Sequence, residues 1–180
     1  MKHILTLLLV VMVSALHAQT IRLDVSYVLF NGDSIVGPTT EIFANGEFVT
    51  SAPAGTIITL PADTEYELRP KWDDDPYNGV SAFDLYLIRK QILGITNVVN
   101  SYVLQAMDVN SSGAVSTLDL LILRKFLLGS PLNQAVPGWQ FVRADGIPVP
   151  VTVSQEGTYV VQYVAIKIGD VDGSATVTNP

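Results

Sequence analysis

The chain contains two copies of a twelve-residue, oxygen-rich segment whose starts lie 35 residues apart. The first copy runs from Asp73 to Asp84 and the second from Asp108 to Asp119. Both place oxygen-bearing side chains at positions 1, 3, 9 and 12, and both continue into an apolar stretch with Arg-Lys that stops at Leu-Gly. Identical registers followed by identical endings rarely arise by chance, so the chain is predicted to fold around a pair of loop-helix repeats.

Each loop is followed by a predicted helix. Apolar residues recur there at the spacing of one helix face, namely Leu85, Ile88 and Ile92 in the first copy and Leu120, Leu123 and Leu127 in the second. Gly94 and Gly129 stand where a left-handed residue ends a helix. Between the two copies, Asn97 is predicted to cap a short helix that runs through Ala106.

The loops have the donor pattern of a site for a hard cation. Calcium takes six to eight oxygen ligands, which a 12-residue loop supplies from positions 1, 3, 5, 9 and 12 and from the carbonyl of position 7. Tyr77 is the weakest candidate, because a neutral phenol is a poor ligand; water, its own carbonyl or Asp74 are alternatives. We expect two calcium sites, with these ligands: Asp73, Asp75, Tyr77, the Gly79 carbonyl, Ser81 and Asp84 in the first loop, and Asp108, Asn110, Ser112, the Ala114 carbonyl, Ser116 and Asp119 in the second.

A third segment near the C-terminus begins like these loops. Asp170-Val171-Asp172-Gly173 has acidic residues at positions 1 and 3. No helix and no closing carboxylate follow it in the sequence. We therefore interpret it as a turn that ends the preceding strand.

The first 18 residues have the organisation of a secretory signal. Lys2 precedes an apolar run from Ile4 to Leu16, and Ala18 stands before the expected cleavage point. The run is too short for a typical membrane span, and strand-like polar sequence follows it, which argues against a core helix. We predict a secreted protein, extracellular or at the cell surface, without a membrane span in the mature chain.

Composition narrows the chemistry of the mature chain. Both histidines, His3 and His17, lie within the predicted signal, and the chain has no Cys. Without these residues, disulfides, nearly all types of zinc site, and catalysis that depends on a Ser-His-Asp or Cys-His arrangement are excluded. The remaining 9 basic and 17 acidic residues give a net charge of about −8, which disfavours binding to nucleic acid. Because no cluster of acidic residues outside the loops suggests a catalytic pair of carboxylates, we expect a protein that is not an enzyme.

Strand patterns flank the two repeats. From Ile21 to Leu29 apolar and polar residues alternate, and Asn31-Gly32 predicts a hairpin turn. Further candidate strands are Thr39 to Phe43, Glu47 to Ser51, Thr56 to Leu60, Glu65 to Arg69, Trp139 to Val142, Val149 to Val153 and Tyr159 to Ile168, the last with Val160, Val164, Ile166 and Ile168 on one face. Five short strands bury too little apolar surface alone.

These patterns predict an α+β fold. We expect an antiparallel β-sandwich made of N- and C-terminal strands, with the calcium loop-helix pair inserted between them. The predicted division is a signal at residues 1–18, sandwich strands at 19–70, the calcium-binding pair at 71–130, and C-terminal strands at 131–180 that pack on the first two parts.

The segment from Lys71 to about Ser130 resembles a dockerin type I module. In that family each loop of a tandem loop-helix repeat closes with Asp rather than Glu at position 12, as at Asp84 and Asp119, and no helix precedes the first loop. The flanks, at Tyr66–Pro70 and Ala165–Ala175, are similar to those of dockerin-like units in large secreted bacterial surface proteins. There a sandwich domain similar to carboxypeptidase regulatory-like or collagen-binding B-type repeats comes first.

The resemblance implies calcium-dependent folding and docking onto a cohesin-like or other cell-surface protein. Residues that contact cohesin usually occupy loop positions 10 and 11 and the helix end, which here are Ala82, Phe83, Lys90, Thr117, Leu118 and Lys125. The two halves differ, since Gln91 corresponds to Phe126, so two interchangeable binding modes are not expected. The second helix is apolar on almost every side and is predicted to pack on the strands.

Two functions follow from these observations. One is a non-catalytic secreted structural or adhesion module in which calcium stabilises a dockerin-like fold. The other is a cohesin-docking module that assembles an extracellular complex.

Overall fold

The computed structural model describes residues 19–131, 136, 138–146 and 149–176. The predicted signal lies outside this part of the chain. The described residues form an α+β structure, which confirms the predicted class. Its elements are β1 (Thr20–Leu29), β2 (Ser34–Ile35), β3 (Thr39–Ala44), β4 (Glu47–Pro53), β5 (Ile57–Pro61), β6 (Tyr66–Lys71), α1 (Ala82–Ile92), α2 (Ser101–Met107), α3 (Thr117–Leu127), β7 (Trp139–Arg143), β8 (Val151–Val153) and β9 (Gly157–Lys167).

The strands pair into two sheets that mix both ends of the chain. One sheet has the order β2-β1-β9-β7, with β5 also paired to β1, and the other has the order β4-β3-β6-β8. Strands that follow the helices therefore complete sheets begun before them. The expected antiparallel pairing is wrong at the centre of the first sheet, where β1 and β9 run parallel from Ile21 opposite Gly157 to Leu29 opposite Ala165. A parallel pair needs a long connection, which here contains β2 to β6, the three helices, β7 and β8.

The alternation in β1 matches one buried face. Ile21, Leu23 and Val25 are almost fully buried, while the residues between them are partly or fully exposed. They join a hydrophobic cluster to which both sheets contribute, through Ile42 and Leu68 of the second sheet among others. We call the two sheets, β1 to β9, the β-domain, and this cluster is its core.

Strand β9 is buried on both faces in its second half. Val161, Tyr163 and Ala165 belong to the core of the β-domain, whereas Val164 and Ile166 belong to a second cluster shared with the helices. Such a continuous buried run is typical of a strand covered on both sides. The helices therefore cover the outer face of the five-stranded sheet at the end of β9 that contains Val164 and Ile166. Val160, predicted on the face that contacts them, is 70% exposed, because the helices cover only the far end of the strand.

The helices begin and end at specific polar and glycine residues. Ser81 and Ser116 are the N-caps of α1 and α3, and in each case the carboxylate three residues later bonds back to the cap. Gly94 and Gly129 follow the helix ends with φ of 66° and 61°. The predicted cap Asn97 is wrong: α2 starts later, because the Asn100 side chain accepts hydrogen bonds from the amides of the first helical turn.

Helix α3 is buried on one face only. Leu123 is fully buried in the second cluster, together with Ile88 of α1 and Ile166 of β9. Leu118 and Leu121, on the opposite side, are 51% and 48% exposed. The predicted packing of α3 on the strands therefore holds for the side that contains Leu123, whereas the side with Leu118 and Leu121 is about half exposed. None of the helices in the described part of the chain has the length and apolarity that a membrane-spanning helix requires.

Candidate metal centre

The second loop, residues 108–119, closes through its own carboxylates. Asp108 caps the end of α2, and its two oxygens accept hydrogen bonds from the amides of Ser112 (2.9 Å) and Gly113 (2.6 Å). Gly113 has a φ of 88°, which lets the chain turn at position 6. At the other end Asp119, fully buried, accepts from the amides of Asn110 (3.2 Å) and Ser116 (2.8 Å). The loop is therefore already folded around its acidic groups.

The remaining predicted ligands of this loop lie in the same network. The Asn110 side-chain oxygen accepts from the Ser112 amide at 3.1 Å, and the Ser112 hydroxyl donates to the Ala114 carbonyl at 3.2 Å. The Ser116 hydroxyl contacts Asp119 at 3.0 Å. Two carboxylates, an amide oxygen, two hydroxyls and a carbonyl form the donor set of a calcium site, so the residues present fit that ion.

The first half of the first predicted loop is arranged differently. The Asp73 side chain is 84% exposed and pairs with Lys71 at 3.1 Å. Asp75 accepts a hydrogen bond from the Tyr77 amide at 2.9 Å, and its carbonyl accepts one from the buried Lys167 ammonium, also at 2.9 Å. The Tyr77 ring is stacked on Phe126, with centroids 4.6 Å apart. The Tyr77 side chain thus takes part in packing.

The second half of that loop repeats the geometry of its counterpart. The Asp84 carboxylate accepts from the Ser81 amide at 2.7 Å and from the Ser81 hydroxyl at 2.9 Å. Its other oxygen accepts from the amides of Val171 (2.7 Å) and Asp172 (3.4 Å), close to the C-terminus. The Gly79 carbonyl accepts from the Ser174 hydroxyl at 3.1 Å. The tail, residues 170–176, therefore lies where the first half of a contiguous loop was expected.

This arrangement produces an acidic cluster that the order of the sequence does not show. One oxygen each from Asp84, Asp170 and Asp172 lies within 4.8 Å of the others, and among the described residues this is the only such group of three metal-ligating side chains. Asp73 and Asp75 are not part of it. The turn expected at residues 170–173 does have a closing carboxylate, supplied by Asp84. The sequence signal for this cluster is the similarity of residues 170–174 to residues 108–112. A search for unbroken twelve-residue loops misses it, because the closing carboxylate, Asp84, lies elsewhere in the chain.

The cluster is electrostatically costly by itself. Asp84 and Asp170 are 0% and 1% exposed. Burial raises the pKa of Asp170 to about 6; the amides of Ala175 and Ser174 oppose that rise, while Asp172 and Asp84 add to it. Bringing three carboxylates together in a partly dry site favours either protonation or a bound cation.

The predicted partner-binding residues lie at the starts and ends of α1 and α3. Phe83 and Leu118 are 52% and 51% exposed, and Ala82 and Thr117 beside them are exposed too. Lys125 is exposed near the end of α3. Lys90, towards the end of α1, is half-buried, with its ammonium 5.5 Å from the centre of the Tyr86 ring.

Comparison with known proteins supports the helical segment. Residues 78–128 match the family model of the dockerin type I domain, so the predicted resemblance is confirmed for those residues. No curated protein and no solved structure matches the chain. The match begins after Tyr77 and does not include Asp73 or Asp75. Dockerin type I domains are non-catalytic modules that bind calcium and dock onto cohesin partners, and residues 78–128 of this chain are similar to them.

Proposed function

We propose that this protein is a non-catalytic, calcium-stabilised structural or adhesion module of the cell exterior. In this proposal the dockerin-like pair is an integral layer of a β-sandwich scaffold. The observation that carries it is the folded second loop, whose first donor, Asp108, ends α2 and whose last two donors, Ser116 and Asp119, begin α3. Export follows from the predicted signal and agrees with the extracellular or cell-surface setting typical of dockerin modules.

In this proposal calcium stabilises the junction between α2 and α3 and the packing of the helices on the sheet. In the second loop the ion would be held by Asp108, Asn110, Ser112, the Ala114 carbonyl, Ser116 and Asp119. It would neutralise two carboxylates, one of them fully buried. Val109, at loop position 2, is also fully buried and packs in the cluster that joins the helices to β9. Closing the loop around calcium would therefore stabilise the contact between helices and sheet. At a hundredfold excess over its Kd, one ion adds about 2.7 kcal/mol of stability.

A calorimetric calcium titration of residues 19–180 tests this function, combined with thermal unfolding in calcium and in chelator. We expect binding heat and a lower Tm in chelator. Asp108→Ala should remove the heat from the second loop, whereas Glu156→Ala, an exposed acidic residue outside the loops, should leave it unchanged. Absence of binding heat together with equal Tm values in calcium and chelator would contradict the proposal.

A second candidate function is docking onto a cohesin-like partner, which the exposed apolar residues of α1 and α3 favour. Phe83, Tyr86, Leu118 and Leu121 are each about half exposed. Phe83 and Tyr86 also lie side by side, with ring centroids 5.9 Å apart, and exposed apolar residues close together are typical of interaction sites. Pull-down with a panel of cohesin domains tests this: Phe83→Ala and Leu118→Ala should abolish capture while calcium binding and Tm persist. Capture by neither the wild type nor the variants leaves the structural function as the better explanation.

A further inference from the structure

We propose that the chain binds a second calcium ion in a discontinuous site. Residues 170–174 would supply the first half of the loop and residues 79–84 the second half. The ligands would be Asp170, Asp172, Ser174, the Gly79 carbonyl, Ser81 and Asp84. This inference rests on the calcium binding proposed above and replaces Asp73, Asp75 and Tyr77 as ligands.

Asp170 accepts the same pattern of backbone hydrogen bonds as Asp108, the residue at position 1 of the second loop. Asp170 accepts from the amide four residues later, Ser174, at 3.0 Å, and from the amide five residues later, Ala175, at 2.9 Å. Asp108 does the same with Ser112 at 2.9 Å and Gly113 at 2.6 Å. The tail therefore begins as a calcium loop begins.

Positions 3 and 4 also correspond. The Asp172 carboxylate accepts from the Ser174 amide at 3.0 Å, as the Asn110 side chain accepts from the Ser112 amide at 3.1 Å. The next residue has a positive φ in both loops, 72° at Gly173 and 55° at Ser111. A non-glycine residue with such a φ is uncommon, so agreement at this position is informative.

The closing half corresponds as well. Asp84 accepts from the Asp172 amide, as Asp119 accepts from the Asn110 amide. The Ser174 hydroxyl donates to the Gly79 carbonyl at 3.1 Å, as the Ser112 hydroxyl donates to the Ala114 carbonyl at 3.2 Å. In each case the first half of the loop is tied to the second at the same positions.

The tail and the start of the 79–84 segment lie side by side at the point where an unbroken loop would continue from position 6 to position 7. Asn78 and Thr176 exchange hydrogen bonds, from the Asn78 amide group to the Thr176 carbonyl at 2.8 Å and from the Thr176 backbone amide to the Asn78 side chain at 3.0 Å. A Cβ on Gly79 would lie 2.5 Å from the backbone nitrogen of Ala175. This close approach sets the two halves in register.

The family match is independent of the tail and points to the same ion. It begins at residue 78 and includes Gly79, Ser81 and Asp84, the second half of a calcium loop, in a domain type that binds calcium. Asp84 and Asp170 are buried, unlike an ordinary surface cluster of acidic residues. Hard oxygen donors without His or Cys favour calcium over transition metals.

A discontinuous site has a consequence for folding. The ion would join the segment after β9 to the start of α1, although Asp84 and Asp170 are far apart in sequence. Because the site forms only when β9 and the helices are in place, binding would couple the sheet to the helical layer.

The test is the calcium stoichiometry of residues 19–180 by calorimetry for two matched variants. Asp170→Asn/Asp172→Ala changes positions 1 and 3 of the tail, and Asp73→Asn/Asp75→Ala changes the same positions of the unbroken loop. We expect two ions for the wild type, one for the tail variant and two for the control. Near-ultraviolet circular dichroism in chelator verifies that each variant is folded. Should the double variant unfold, Asp172→Ala alone, at an exposed side chain, serves as the tail variant and is expected to bind the second ion at least about tenfold more weakly.

The other outcomes separate the two proposals. If the tail variant keeps two ions and the control loses one, the site is the unbroken loop and this inference is overturned. If the wild type binds one ion, which Asp108→Ala removes, the proposed function stands and the discontinuous site does not. If the wild type binds no calcium, both fail.

Discussion

Single residues in this protein combine backbone and metal-site roles. Asp84 and Asp119 each complete the capping box of a helix and close a loop, so each carboxylate organises both local structure and a candidate calcium centre. Gly79 and Gly46 both have a positive φ, 75° and 81°, but only Gly79 lies against another segment of the chain. Alanine substitutions at these two glycines therefore allow the free-energy cost of backbone strain to be separated from that of steric conflict with a neighbouring segment.

Substitution Gly79→Ala should therefore destabilise the protein more than Gly46→Ala. Both variants place a side chain at a positive φ, at a cost of about 1 kcal/mol. Gly79→Ala also drives its Cβ into the Ala175 backbone, while nothing lies within 4 Å at Gly46. We expect a total loss of about 2–4 kcal/mol at Gly79. Urea unfolding in calcium measures both, and equal losses would show that the approach of the tail does not matter for stability.

At the scale of elements, the two faces of α3 differ: one packs in the cluster shared with the sheet, and the other is exposed. Leu123 faces β9 and Leu121 faces outward. The segment that follows β9 also approaches α3 closely, since a Cβ on Gly169 would lie 2.8 Å from the Leu123 side chain. The helical layer therefore depends on the face of α3 that contains Leu123.

Two Leu→Ala variants test that division. Leu123→Ala should lower the free energy of unfolding by about 2–5 kcal/mol, because it leaves a cavity between helix and sheet. Leu121→Ala, at a side chain 48% exposed, should change it by less than about 0.5 kcal/mol. Chemical denaturation followed by circular dichroism gives both values. A similar loss in the two variants would mean that the exposed side of α3 is covered in solution.

At the scale of the whole molecule, each sheet is assembled from strands that precede the helices and strands that follow them. β1 lies between β9 on one side and β2 and β5 on the other, and β6 lies between β3 and β8. Without the C-terminal strands, β1 therefore lacks its central neighbour β9 and β6 lacks its edge neighbour β8.

Residues 19–71 expressed alone should not fold cooperatively. Without β9 and β8, the buried side chains of β1 and β6, such as Leu23 and Leu68, lose part of the core they pack in. We expect an unfolded or aggregating fragment, whereas residues 19–180 should unfold in one transition. A sharp thermal transition of the fragment would show that the β-domain is complete without its C-terminal strands.

Removal of calcium should loosen the molecule locally. Hydrogen exchange of residues 19–180 in chelator should increase most at 79–84, 108–119 and 170–176, where carboxylates would lose their cation. The β1 and β3 strands, held by the core of the β-domain, should change least. Uniform acceleration over the whole chain would indicate instead that calcium stabilises the entire fold as one unit.

Much of the local structure could be predicted from the sequence. The second loop and the helix ends at Gly94 and Gly129 depend on contacts within about a dozen residues, and spacing reveals them. Ser81 and Ser116 were predicted only as ligands, although a Ser with a carboxylate three residues later also marks the start of a helix. The start of α2 was misplaced because Asn97 and Asn100 are both acceptable caps, and the sequence pattern does not choose between them.

The sequence by itself determined the donor chemistry, the α+β class and the dockerin-like segment at residues 78–128, because these depend on residue types at short, regular intervals. Only the tertiary structure decided that Asp84 meets Asp170 and Asp172, that β9 lies parallel to β1, and that α3 is covered on one face. The reason is physical: hydrophobic period and turn chemistry specify local conformation. Contacts between segments far apart in the chain depend on how the sheets and helices pack as a whole.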